Sequence, residues 1–186
     1  MDVETLRELC RRIGITPKFW ELPWKRALKY MRTGKLEALM TPRHTHEREK
    51  FIHYPSEPMH VEKSVILARK GSGITAASLE ELEGKRVGVV RGYVYGPKFD
   101  SNPKIEKLVC NTDEQLVRLL AKRRVSLIAG AEEVSMRYLC KRANIEVEVV
   151  CVLDGIPSYI GFSKKALGER GVIFRATGIV HKKRIF

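Results

Sequence analysis

No stretch of this chain is apolar for the roughly 18 residues that a membrane-crossing helix needs, and its first residues lack the basic, apolar and small-residue regions of a secretion signal. Cysteine is scarce: four residues in 186, at 10, 110, 140 and 151, with none of the C-x-x-C spacings of zinc or redox sites. Cys10 and Cys140 fall on the apolar faces of predicted helices, where a free thiol behaves as a small hydrophobe. There is no Gly-x-Ser-x-Gly elbow to present a nucleophile and no Gly-Lys-Ser/Thr to cradle phosphates. Acidic residues are the minority, 22 against 35 lysines and arginines, for a formal charge of +13. What is present, 44% hydrophobic and 31% charged residues, is ordinary for a folded chain that can bury one good core or two small ones.

A charge of +13 would suit nucleic acid or an acidic membrane, and its distribution bears on both. Residues 1–70 hold 15 basic and 9 acidic side chains, residues 71–158 hold 13 and 12, and residues 159–186 hold 7 and 1. The excess lies in the first segment and the tail. No RNA-binding aromatic motif accompanies it, and the first segment interleaves bases with acids along its helices, the pattern of a solvated face. Neither nucleic acid nor membrane insertion is expected.

Periodicity gives an alternation of helices and strands. Asp2 can cap a helix with Val3, Leu6, Leu9, Cys10 and Ile13 on one face and Gly14 after it. Ile15 to Leu22 reads as a strand, Pro23 breaks it, and Trp24, Ala27, Leu28 and Met31 make the apolar stripe of a helix closed by Gly34. A buried strand, Leu36 to Met40, then leads into a polar loop that carries Thr41, Arg43, Thr45 and Arg48. In an α/β sheet the carboxyl ends of strands are where ligands bind, and the planar guanidinium of Arg48 suits paired hydrogen bonds to a carboxylate. Trp20 and Trp24 either line such a cleft or fill core. Glu62 to Lys70 is a strand, and Gly71-Ser-Gly73 reads as a hinge or a plain surface turn.

From Arg86 the alternation resumes. Strand Arg86 to Val90 ends in Arg91-Gly-Tyr-Val-Tyr-Gly96, a glycine turn whose backbone N–H groups can receive an anion. Its Gly92-x-x-x-Gly96 spacing is not a dinucleotide fingerprint. Strand Ile105 to Cys110, helix Thr112 to Arg123 with a Thr112-x-x-Gln115 capping box, strand Val125 to Ala129 and helix Ala131 to Arg142 follow. Ile145 to Leu153 alternates as a half-exposed strand, Asp154-Gly155 reads as a turn, and Pro157 to Ser163 as a returning strand. This order predicts a doubly wound α/β architecture.

Several ordered segments resemble one family: Leu22-Pro-Trp-Lys-Arg-Ala-Leu, Thr33-Gly-Lys-Leu-Glu-Ala, Thr45-His-Glu-Arg-Glu-Lys-Phe, Tyr54-Pro-Ser-Glu-Pro, Leu79-Glu-Glu-Leu-Glu-Gly-Lys-Arg-Val-Gly-Val-Val-Arg-Gly-Tyr and Tyr159-Ile-Gly-Phe-Ser-Lys-Lys. They are similar to the family 3 extracellular solute-binding proteins, the periplasmic receptors of polar amino acid ABC importers, over roughly residues 1–165. The resemblance implies a two-lobed periplasmic-binding-protein-like fold with two crossing hinge segments. Residues 1–70 and 159–186 would form the first lobe and 71–158 the second, as two separate sheets. It also implies that a signal, a first strand and about 25 residues precede this start, since a sheet lobe normally begins with a strand.

The implied partners are a small amino or organic acid ligand and the membrane subunits of an ABC importer, in a periplasmic location. A sensor domain of a membrane receptor kinase shares the fold and is the alternative, with a basic nucleic acid binder as a reading from another class. The implied ligand-binding set is Arg48, Thr45, Thr41, Arg43 and Trp24 from one lobe and Arg91, Gly92, Tyr93, Tyr95 and Glu132 from the other. Val125-Ser-Leu-Ile-Ala-Gly-Ala-Glu132 departs from the family, whose strand ends here in an aspartate that receives the ligand's amino group. Ala131 stands at that position, and Glu132 beside it either substitutes or serves as a first-turn helix acid. Beyond Lys165 the resemblance fails.

No catalysis and no cofactor are expected. The His44-x-His46 pair invites a metal, but Arg43 and Arg48 beside it would repel a cation, and no cysteine or carboxylate cluster completes a site.

Overall fold

The computed structural model describes residues 2–12 and 14–168; Ile13 and the tail beyond Gly168, including His181, lie outside them. The chain divides into two compact units. One comprises the residues up to Met59 together with those from Tyr159 on, and the other is His60–Ser158. The division thus falls about one strand earlier than residue 70, and Gly71–Gly73 form a turn inside the second unit, where Ser72 N–H donates to the Arg69 carbonyl at 3.1 Å.

In the first unit, helix α1 (Asp2–Arg12) and helix α2 (Trp24–Thr33) precede strand β1 (Ala38–Arg43). Helix α2 buries Ala27 and Met31 and ends at Gly34, whose φ of 76° is the left-handed cap that glycine adopts without a Cβ penalty. Met31 packs with Phe51 and Ile52 in a small core. Helix α3 (His46–Glu49) and strand β2 (Ile52–His53) follow.

Ile15 to Leu22 is not a strand: it has no regular structure. Pro17 removes one ladder donor, and among the described residues no strand pairs with the segment. Strand β1 also runs further than expected, so Thr41 and Arg43 stand on it rather than on the loop.

The second unit is built on strand β3 (His60–Arg69), β4 (Arg86–Val90), β5 (Glu106–Cys110), β6 (Leu127–Gly130) and the first part of β7 (Val147–Ser163). Burial along β3 follows its partners. Through Lys63 it pairs with β7 alone and alternates in and out, whereas Val65 to Ala68 pair with both β7 and β6 and are buried without a break.

Strand β4 lies between β5 and β6, parallel to both, which is why it reads as a continuous apolar run. Helices α5 (Asp113–Ala121) and α6 (Glu133–Arg142) cover one side, with Leu116, Leu120, Met136 and Cys140 packed on Val65, Leu67 and Ile128. A single 3-10 turn (Glu80–Leu82) and helix α4 (Pro97–Asp100) cover the other, where Leu82 and Phe99 meet Ile66, Ala68 and Val89. Half of the capping box forms: Thr112 Oγ1 accepts from Gln115 N–H at 3.3 Å, whereas Gln115 Oε1 reaches past Thr112 and accepts from the amide of Asn111 at 2.8 Å.

Asp154-Gly155 does not turn the chain. Strand β7 runs through it for 17 residues, and Gly155 is needed for close approach, since a Cβ there would meet Val61 Cγ1 at 3.1 Å. A register shift between Lys63 and Val65 absorbs the irregularity. Because β7 is unbroken and contributes to both units, pairing strings all strands into one order, β1-β7-β3-β6-β4-β5 with β2 also on β7, where two separate sheets were expected.

The end of β7 fixes the small core of the first unit. Ser163 Oγ donates to the Met31 carbonyl at 2.7 Å, and a Cβ on Gly161 would stand 2.6 Å from Ile52 Cγ2 and 2.9 Å from Pro42 Cγ. A proline ring cannot swing aside, so Gly161→Ala overpacks the site. The expected outcome is a loss of about 1–3 kcal/mol, seen in thermal unfolding as a drop of about 2–4 °C per kcal/mol.

Candidate functional site

The connections of the second unit define a crevice without reference to any ligand. From β4 the chain goes to β5 on one side and returns through α5 to β6 on the other. The strand order therefore reverses between β4 and β6, the place where open parallel sheets bind ligands beyond the strands' carboxyl ends. Two of the sequence's candidate segments meet this criterion, Arg91 to Tyr95 after β4 and Ala131-Glu132 after β6.

The geometry of the first is more closed than its glycines suggest. Arg91 is exposed and Gly92 takes a φ of 79°, but the amides of Tyr95 and Gly96 both donate to Asp100 Oδ2, at 3.0 and 3.1 Å. Arg91 N–H donates to the Cys110 carbonyl and Tyr93 N–H to that of Val90. The backbone groups expected to receive an anion are thus engaged within the chain. Tyr95 is a core residue, 2% exposed, whose hydroxyl accepts from Val90 N–H at 2.8 Å; its side chain serves packing and not a ligand.

Tyr93 is half-buried and donates to Asp113 Oδ2 at 2.9 Å. Burial raises the Asp113 carboxyl, with the Tyr93 hydroxyl opposing the shift. Oδ1 of Asp113 is buried with no hydrogen bond among the described residues. Sequence reading passed Asp113 over because it looks like any first-turn helix acid. Glu132 is exposed, and its Oε2 accepts from the Ser135 hydroxyl at 2.6 Å, the local bond of a residue at a helix start.

In the first unit the candidates converge. Thr45, extended, caps α3 by accepting the Arg48 amide at 3.2 Å. The Arg48 side chain then turns back, is only 5% exposed, donates from Nη1 to the Arg43 carbonyl at 2.7 Å and lies over the half-buried Trp24 ring at 5.4 Å. The same carbonyl accepts from the Tyr54 hydroxyl at 3.3 Å. Arg43 itself is buried. Thr41, just before buried Pro42, has a φ of 54°, which for a β-branched residue is a strained conformation costing about 1–3 kcal/mol, of a kind that collects at functional sites. Burial lowers the Arg48 pKa despite the opposing influence of Tyr54 and Glu47. Burial also pushes the Tyr54 phenol up to about 12, against the pull of Arg48.

The histidine pair finds a local use. His44 Nε2 lies 2.8 Å from Glu49 Oε1 and His46 Nδ1 3.3 Å from Glu49 Oε2, and His44 beside it holds the Glu49 carboxyl below its usual range. No group of three or more His, Cys, Asp or Glu suited to a metal occurs among the described residues. His44, Tyr54 and Tyr159 stack edge to face, with Tyr54 centred 4.8 Å from His44 and 5.3 Å from Tyr159. With Glu49, His53 and Lys164 they line an open pocket of about 560 Å³. Tyr54, His53 and Lys164 were not foreseen as site residues, because isolated polar aromatics and lysines carry no periodic signal.

The sequence profile of the bacterial extracellular solute-binding proteins, family 3, matches residues 1–166. The chain belongs to this family. The histidine-binding periplasmic protein of Escherichia coli (strain K12) is 30% identical over 92 residues, 49% of this chain and 35% of that protein; the match spans about a third of that relative's length. Holo ArgBP from T. maritima superposes with a TM-score of 0.76 at 21% identity, covering 99% of this chain and 81% of that one. A histidine kinase sensor domain with similarity to periplasmic binding proteins gives 0.75 at 20% identity, covering 96% and 81%. These likenesses show the fold, the periplasmic-binding-protein-like α/β type expected from the sequence. No helix among the described residues of this solute-binding protein is long and apolar enough to cross a membrane.

The raised Tyr54 phenol has a pH consequence. Its neutral form is favoured in the folded state, so it contributes stability that is complete below pH 10 and is lost as pH rises towards about 12. Tyr54→Phe is expected to flatten the fall in thermal stability across that window and to remove one late phenolate step from the absorbance titration. A wild-type-like fall in the variant would show that Tyr54 titrates normally.

Proposed function

We propose that this family 3 protein is a receptor for a small polar ligand bearing a carboxylate, an amino acid or related organic acid, which it delivers to the membrane subunits of an ABC importer. The observation that carries the reading is Arg48. Its charge is permanent, its side chain is buried, and that burial lowers its pKa. An incoming carboxylate would offset the burial through two parallel N–H···O bonds to the guanidinium fork. Thr41, Arg43 and Thr45 occupy the same strand end, and Trp24 fixes the plane of the fork.

The side chains of Arg91, Tyr93 and Glu132 are proposed as the contribution of the second unit, from the point where its strand order reverses. Closure of two lobes around the ligand belongs to the reading, since contacts available only in a closed form are what shift such an equilibrium. Family membership supports it, as do relatives named for binding histidine and arginine, both of which carry a carboxylate. The proposed chemistry is reversible binding without catalysis and without a cofactor, in the periplasm. A sensor domain of the same fold, with a different output, is the alternative reading.

Calorimetric titration with amino acids and small organic acids tests this. Arg48→Lys keeps the charge but loses the fork, and is expected to weaken binding by about 1.5–3 kcal/mol. Unchanged affinity in both Arg48→Lys and Arg48→Ala would remove Arg48 as the anchor and the reading with it.

A further inference from the structure

The positive charge is not spread evenly over the helices. On α1, Glu8 is clasped by Arg11 and Arg12, each at 2.7 Å. Helix α2 carries Lys25, Arg26, Lys29 and Arg32 and no acid at all, which corrects the expectation that bases and acids interleave here. At about 100° per residue these four occupy an arc of about 120° centred opposite the buried Ala27 and Met31. All four are exposed. Arg32 pairs with Glu47 at 3.0 Å, whereas Lys25, Arg26 and Lys29 meet no acidic side chain among the described residues.

Immediately before this helix the chain has no regular structure and leaves three large apolar side chains in solvent: Ile15 at 47%, Phe19 at 40% and Trp20 at 60% exposure. One exposed apolar residue needs no explanation. Three within six positions, two of them aromatic, next to a helix face on which Lys25, Arg26 and Lys29 meet no acid among the described residues, are the makings of a surface that sits at a lipid headgroup boundary.

We propose that residues 15–32 dock peripherally on an anionic phospholipid bilayer. Lys25, Arg26 and Lys29 lie over the headgroup phosphates, and Phe19 and Trp20 rest at headgroup level, where amphipathic aromatic rings partition. Helix α2 has 10 residues, too few to cross a bilayer, so this is adsorption and not insertion. Charge complementarity alone would also admit nucleic acid. The aliphatic Ile15, exposed beside the two aromatic rings, suits acyl chains rather than bases. A second copy of the chain is disfavoured, because a symmetric contact would set one basic face against the other. Docking goes beyond solute binding and does not depend on it.

The test is sedimentation of the whole chain with vesicles of phosphatidylglycerol and phosphatidylcholine in equal parts, against pure phosphatidylcholine. Binding is expected only to the anionic vesicles, weakening as salt rises, with a blue shift of tryptophan emission that is lost in Trp20→Phe while Trp24 remains. Each cation near such a surface changes partitioning by about fivefold, so Lys25→Gln with Lys29→Gln should lower it by about 25-fold, with circular dichroism and melting unchanged. Equal binding to both vesicle types would overturn the proposal, as would a folded double variant that binds like the wild type. So would salt-sensitive binding to duplex DNA, abolished by the same two substitutions, without vesicle binding. Self-association that buries Trp20 in the absence of lipid would likewise count against it.

Discussion

A guanidinium cannot give up its proton to escape a dry environment, so burying Arg48 dictates how the surrounding chain must run. The Arg43 carbonyl has to point inward to accept from it, which ties the end of β1 to α3 within five residues. Thr45 has to leave the strand extended and cap α3, because that cap holds the Arg48 amide. The Trp24 ring, from a different helix, supplies the flat face, and Tyr54 adds a second donor to the carbonyl already used. Thr41 with its positive φ lies two residues upstream of that carbonyl, where a change in strand direction re-aims everything that follows. Three segments, the start of α2, the β1–α3 stretch and Tyr54 after β2, therefore converge around one cation, and the strain at Thr41 is tolerated where they over-determine its place.

The second unit solves a different problem, that of a glycine turn at the end of a fully buried parallel strand. Such a turn would leave amides without partners, and Asp100 answers by taking two of them with one carboxylate oxygen. That leaves side chains rather than backbone to define the rim. The Tyr93–Asp113 pair is held in place by the start of α5, where the helix dipole favours a carboxylate, while burial works in the opposite sense. The balance leaves Asp113 half-sheltered beside the point where the strand order reverses.

Strands β3, β4 and β6 and helices α2, α5 and α6 were legible in the sequence because burial imposes a period: continuous apolar runs where a strand has neighbours on both sides, and a 3.6-residue stripe where a helix has one. Ile15 to Leu22 misled because its β-branched and aromatic residues suit a strand, but a strand also needs a partner, and composition is silent about partners. Asp154-Gly155 misled in the opposite way. The pair is a turn signal by composition, yet here glycine is selected by the nearness of Val61, a tertiary fact. At the site, Arg48 was legible as a cation beyond a strand. Its burial, its bond to Arg43 and the neighbouring Tyr54 were not, since all three depend on how the chain folds back on itself.

What a charge can do at a site depends on how dry it is. Two unit charges 4 Å apart interact with about 1 kcal/mol in water and about 4 kcal/mol at the effective dielectric near a protein surface. Ala131 stands where the family resemblance places an aspartate; Glu132 beside it is exposed and already accepts from Ser135, and Asp113, at the start of α5, is engaged by Tyr93 with its carboxyl raised. Glu132 is therefore solvated and Asp113 already engaged, whereas the Arg48 guanidinium is buried. The charges described at the two strand ends are thus unequal: a buried guanidinium at Arg48 and an exposed, locally bonded carboxylate at Glu132.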